Sequence, residues 1–139
     1  MEMNECKYLN NPLNIRVTKD SWVGGISGRN GFCQFESIES GIRAACIIIM
    51  RSYRKRWIFR LQGIINRWAP SSDGNNPHVY ARFVANRTGM RVFEKIDTPA
   101  KVAHLISAMA EFEQGAGFEL PPSKVLEVIQ LYNIKFYQL

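Results

Sequence analysis

The carboxylate best placed for chemistry is Glu113, in the stretch AMAEFEQGAG at residues 108–117. Val102, Leu105, Ile106 and Met109 form an apolar stripe at helical spacing, and position 113 falls one turn beyond Met109. The spacing predicts that Glu113 closes a core-facing stripe and that Glu111 points elsewhere. A carboxyl group there is partly desolvated, which raises its pKa and makes it a usable proton donor near neutral pH. In a frayed last turn, or paired with an arginine, the same residue is an ordinary surface acid, and spacing alone leaves both alternatives open.

Other polar residues are candidates to hold a substrate. Gln34 and Glu36 lie on one face of an extended segment, opposite Cys33 and Phe35, where they hold a sugar or a water or simply face solvent. Asn66, Arg67 and Trp68 place a polar pair beside an aromatic at a helix end, and Tyr80 is a further aromatic candidate. Aromatic rings stack on sugars, although Trp68 and Tyr80 also fit core stripes. Asn10, Asn11 and Asn14 are expected to fix a tight turn by local hydrogen bonds. His78 and His104 are 26 residues apart and form no ligand motif, and Cys6, Cys33 and Cys46 have no metal-like spacing. The thiols are expected to be reduced and mostly buried, His104 to be structural, and no cofactor or metal is expected.

The net charge of +6 and the pI near 9.5 favour an anionic partner: peptidoglycan or another wall polymer, a membrane surface, or nucleic acid. The charge concentrates in RSYRKRWIFR, residues 51–60, so Arg51, Arg54, Lys55, Arg56 and Arg60 are candidate anion-binding residues. Trp57 or Tyr53 could stack on bases there, or the run is a solvated helix end. At 46% hydrophobic and 22% charged residues, wholesale disorder is excluded. The longest apolar run, AACIIIM, is far below the roughly 20 residues of a membrane helix. MEMNECKY shows no secretory signal, so the protein is expected to be cytoplasmic on synthesis unless something else carries it out.

These side chains need a frame. Residues 1–139 are read as one domain, with a loop- and strand-rich segment over 9–36 and a helical body over 37–133. GFCQF reads as a short strand. SIESGIRAACIIIMRSYRKR reads as one helix capped by Ser37, with Ile38, Ile42, Ala45, Cys46, Ile49 and Tyr53 on its stripe. Leu61, Ile64, Ile65 and Trp68 mark a second helix, stopped by Pro70. A third runs from Pro77 to Gly89 with Tyr80, Phe83 and Val84 inward, and a fourth follows Thr98 and Pro99. The last buries Val125, Val128, Ile129 and Tyr132. The class is mainly α, or α+β with a small sheet.

The order NNPLNIR, SWVGG, GFCQFESIESGIRAA, IINRWAPSSDGNN and YARFVANRTG resembles a family of short phage and prophage proteins. These are labelled virion structural proteins, and some are related to the cell-wall lytic protein of cystoviruses. The resemblance covers about residues 9 to 118. The front half is also similar to bacterial glucosaminidases and lysozyme-like enzymes, in which a catalytic Glu closes a helix just before an Asn-Asn loop. Only eight residues precede Leu9 here, and HLISAMAEFEQGAGF looks like that helix moved to the C-terminal half. The resemblance thus implies a lysozyme-like, circularly permuted fold in which Glu113 matches the catalytic acid and cleaves the peptidoglycan glycan strand. Glu36, or less favourably Glu39, would then be the second carboxylate, and lytic transglycosylases need none. The alternatives are a noncatalytic virion protein of the same fold and a basic nucleic-acid-binding module.

Overall fold

The computed structural model describes residues 9–139; Cys6 and the N-terminal stretch inspected for a signal lie outside the described residues. The described residues are mainly α with one small sheet. The helices are α1 Ile38–Ile47, α2 Leu61–Trp68, α3 Pro77–Thr88, α4 Pro99–Gln114 and α5 Pro122–Leu131. Ahead of them β1 (Gly25–Arg29) and β2 (Phe32–Phe35) form an antiparallel hairpin, with Gly25 opposite Phe35 and Arg29 opposite Phe32.

The helices begin where the capping residues stand. The Ser37 hydroxyl accepts from the Ser40 N–H at 3.1 Å, and that of Thr98 accepts from the Lys101 N–H at 3.2 Å. α3 starts with Pro77 behind the Asn76 cap and stops at Gly89, at φ 76°. The predicted single helix over 37–56 is not uniform. α1 widens after Ile47 into a π-helical turn, Ile48–Tyr53, which opens the backbone spacing at the two residues that later face a cleft.

The apolar stripes meet in one cluster. Ile42, Met50, Leu61, Ile65, Val84, Leu105, Met109 and Val125 are all fully buried in it. Tyr132 does not join them: it is 36% exposed at the end of α5, with the Arg43 guanidinium 5.4 Å from its ring centre. The helix ends at Leu131, and at Tyr132 a cation on the ring face takes the place of apolar packing.

Residues 9–16 run along the outer edge of β2. The Phe35 N–H donates to the Leu9 carbonyl and the Cys33 N–H to the Ile15 carbonyl, each at 2.9 Å, and Arg16 bridges Phe32. Asn11, fully buried, locks this loop: its amide donates to the carbonyls of Ile15 and Cys33 and its oxygen accepts from the Ile15 N–H. Asn10 and Asn14 sit at φ 58° and 56°, a conformation that asparagine tolerates better than most residues. Gly41 lets α1 press on the loop, since a side chain there would collide with the Asn10 carbonyl.

Candidate functional site

α4 delivers Glu113 one turn after the buried Met109, and the inward face predicted from spacing is the one observed. Two neighbours hold the carboxyl group. Asn14 donates to Oε1 at 2.6 Å, and the Tyr80 hydroxyl donates to Oε2 at 2.9 Å. Gln114 then orients Asn14: its Nε2 donates to the Asn14 Oδ1 at 3.0 Å and to the Pro12 carbonyl at 2.9 Å. Reversing either amide would set oxygen against oxygen, so the Asn14 N–H must face Glu113. This arrangement leaves the Gln114 Oε1 buried without a partner, a cost typical of side chains fixed for one orientation.

Burial raises the Glu113 pKa above the ordinary carboxylate value of 4.5, opposed in part by the Tyr80 and Asn14 hydrogen bonds and the Arg16 charge. Burial, and then Glu113 itself, push Tyr80 well above its usual value, so the phenol stays a neutral donor. Its hydroxyl lies 3.4 Å from the Met109 carbonyl and can turn there when Glu113 takes a proton. Tyr80 is itself pinned, stacked on Phe112 at 4.0 Å between ring centres.

Glu113 nevertheless lines an open cleft of 370 Å³. Asn14 and Arg16 enter it from the N-terminal loop, Tyr53 from the π-helical turn, Arg67 and Trp68 from the end of α2, and Asp73 from the loop that follows. Trp68 packs against the core as its stripe suggested, but it is only partly buried and also lines the cleft. Its ring meets Tyr53 edge-on at 6.2 Å, and its indole N–H donates to the Leu13 carbonyl at 3.2 Å, which turns one face to the cleft.

The other sequence candidates stand apart. Gln34 lines a different cavity of 320 Å³, with Trp22 and Phe35, which shares only Thr18 with the Glu113 cleft. Glu36 is exposed beyond the end of β2, where its N–H donates to the Gly24 carbonyl. It lies four residues from Phe32, the β2 residue that lines the cleft, and at about 3.3 Å per strand residue this is some 13 Å. Glu39 is paired with Lys124 at 2.6 Å, and that hydrogen bond holds its carboxyl below the ordinary range. Asn66 is exposed, accepting from Gln62 at 2.9 Å. Tyr80 is buried against Glu113, outside the cleft lining. His78 and His104 are exposed. Burial raises both described thiols, Cys46 to about 12.

The basic run divides. Arg51 and Arg54 donate to the carbonyls of Lys135 and Tyr137 at 3.0 Å and hold the C-terminal tail, while Lys55 lies 5.9 Å from the Tyr137 ring centre. Arg60 donates to the Phe93 carbonyl at 2.9 Å. Arg56 lines a cavity that adjoins the Glu113 cleft. Asn14, Arg16 and Asp73 were missed as site residues, because each reaches the cleft from a segment that reads locally as turn, edge or loop; Tyr53 was read as a helix-stripe residue that could stack on bases, and it lines the cleft instead.

No groups of three or more potential metal ligands occur among the described residues, and no described helix is long and apolar enough to cross a membrane. No protein-family model matches the chain. Protein P5 of Pseudoalteromonas phage PM2 is 36% identical over 112 residues, which cover 77% of this chain and 69% of that protein. The chain belongs to the family of this phage protein.

Proposed function

We propose that this phage-related protein cleaves the glycan strand of peptidoglycan, with Glu113 as the acid, and acts in association with the virion or after release to the wall. The observation that carries this function is the Glu113 carboxyl, inclined by burial to keep its proton yet facing an open cleft. Glu113 protonates the glycosidic oxygen as the bond breaks. Trp68 and Tyr53 offer ring faces for sugar rings. Asp73 lines the same cleft and replaces Glu36 as the second carboxylate, acting as base or stabilising oxocarbenium-like charge. If one acid suffices, the reaction is a transglycosylation. This assignment keeps the lysozyme-like resemblance of the sequence, with Glu113 in the place of the catalytic Glu.

A second function is favoured by one specific observation. Asn14 and Tyr80 both donate to Glu113, tying the N-terminal loop and α3 to α4. In a noncatalytic virion protein this clamp would be structural. Purified peptidoglycan incubated with the wild type, Glu113→Gln and Asp73→Asn, with released fragments weighed by mass spectrometry, separates the two. A glycosidase releases muropeptides that the Glu113→Gln variant does not, with reducing ends for hydrolysis and anhydro ends for transglycosylation. Absence of release by the folded wild type contradicts cleavage and leaves the clamp.

A further inference from the structure

The Glu113 cleft continues past Arg16. A neighbouring cavity of 470 Å³ shares Ile15, Arg16, Thr18, Ile48, Tyr53 and Arg67 with it, so the two form one groove with a common waist. Two arginines stand at this waist, and Arg56 stands farther along. Among the described residues, salt bridges engage Arg87, Arg91, Lys101 and Lys124, and none engages Arg16, Arg56 or Arg67. The acids of the groove lie on either side of the waist: Glu113 and Asp73 line only the first cavity and Asp20 only the second. Asp20 is already engaged by the Thr18 hydroxyl at 3.0 Å. The Arg16 guanidinium lies over the Phe32 ring, 4.9 Å from its centre, a contact that limits its freedom before any ligand arrives. Tyr53, raised to about 12 by burial, adds a neutral hydroxyl.

We propose that the waist is a carboxylate subsite, in which Arg16 and Arg67 grip an acid group carried by the glycan a short distance from the bond that Glu113 would break. The identity of the polymer rests on the glycan-cleaving function proposed above; the carboxylate chemistry rests on the arginines. A guanidinium presents paired N–H donors that match a carboxylate, and a partly enclosed groove between aromatic walls screens that attraction less than open solvent does. A glycan carries such a group in two ways: as the free lactyl carboxylate of a peptide-stripped strand, or as carboxylates of an attached peptide stem. A neutral N-acetylglucosamine oligomer has neither.

The test titrates the full chain, by calorimetry and by tryptophan fluorescence, with three probes: peptide-bearing muropeptides, amidase-stripped glycan oligomers and chitohexaose. The Glu113→Gln variant prevents turnover during titration. At least one carboxylate-bearing probe is expected to bind about tenfold or more tightly than chitohexaose, with a preference that shrinks as salt rises. Whichever of the two binds more tightly identifies the source of the carboxylate. Arg16→Gln and Arg67→Gln are each expected to lose about tenfold on that probe and little on chitohexaose. Arg82→Gln, on exposed α3 surface outside the groove, is expected to change neither. Equal affinity for chitohexaose, or unchanged affinity in both arginine variants with wild-type melting curves, overturns the subsite. Cleavage of chitohexaose as fast as peptidoglycan overturns the subsite and keeps the glycosidase. Selective binding of an acidic probe without cleavage of any overturns the glycosidase and keeps the subsite.

Discussion

Two concave regions lie on either side of the last turns of α4, and each contains a glutamate. The larger, 490 Å³, is lined by Glu111 with Ser107, Glu119 and Leu120. The smaller, 370 Å³, is lined by Glu113. Glu111 is gripped by Arg87 through two bonds, of 3.0 and 3.1 Å, near the surface. Glu113 has only neutral donors, is mostly buried, and is tilted by that burial toward its protonated form. A carboxylate satisfied by a cation has no reason to hold a proton, whereas one that is largely buried without an ion pair does, even against the pull of an amide and a phenol. The size of a concavity is a poor guide to chemistry; the partners of the group in its wall are a better one.

The comparison is broken or sharpened most strongly by exchanging the acids. Glu113→Gln is expected to lower muropeptide release by about 10²- to 10⁴-fold, the usual worth of general acid catalysis, and Glu111→Gln to leave it near wild type. Equal losses in both, read by the same release assay, would erase the distinction. Next in size is the loop that carries Asn14. Asn11→Ala removes three hydrogen bonds, two of them buried, and is expected to cost about 3 kcal/mol in urea unfolding, loosening the Glu113 side of α4 and not the Glu111 side.

Smaller effects follow from titration. Tyr80 donates to Glu113 and so lowers its pKa. Tyr80→Phe is expected to raise it, moving the alkaline limb of the pH–rate profile to higher pH; a shift to lower pH would contradict the hydrogen bond's direction. The folded pKa of Glu113 lies above its unfolded value. The stability it contributes is therefore full below about pH 4.5 and lost as pH rises through the folded value. The melting temperature of Glu113→Gln relative to wild type should climb over that window, and a flat difference would argue against burial. The smallest effect is the surface pair: Arg87→Gln is expected to leave the melting temperature nearly unchanged in the same melts.

The inward face of Glu113 was legible because a helix repeats its faces and the stripe ending at Met109 is unambiguous. The caps Ser37 and Thr98 were legible for the same local reason. The partners of Glu113 were not. Asn14 lies 99 residues away in sequence, in a loop whose asparagines read as turn formers, and only the edge pairing with β2 carries it to α4. Glu36 looked suitable because strand alternation gives a face, but alternation says nothing of how far along the hairpin the site lies. The basic run misled in the opposite sense. Arg51 and Arg54 are near neighbours in sequence and serve the C-terminal tail, whereas Arg16 and Arg67, 51 residues apart, line the same groove.

The most direct test of the central claim is a ¹³C NMR titration of the side-chain carboxyl groups in glutamate-labelled protein, with the Glu113 signal assigned from its absence in Glu113→Gln. The buried carboxyl in a cleft predicts a Glu113 midpoint clearly above 4.5 that rises further in Tyr80→Phe. A midpoint at or below 4.5 would mean that Glu113 is an ionised structural clamp, and would contradict its role as an acid.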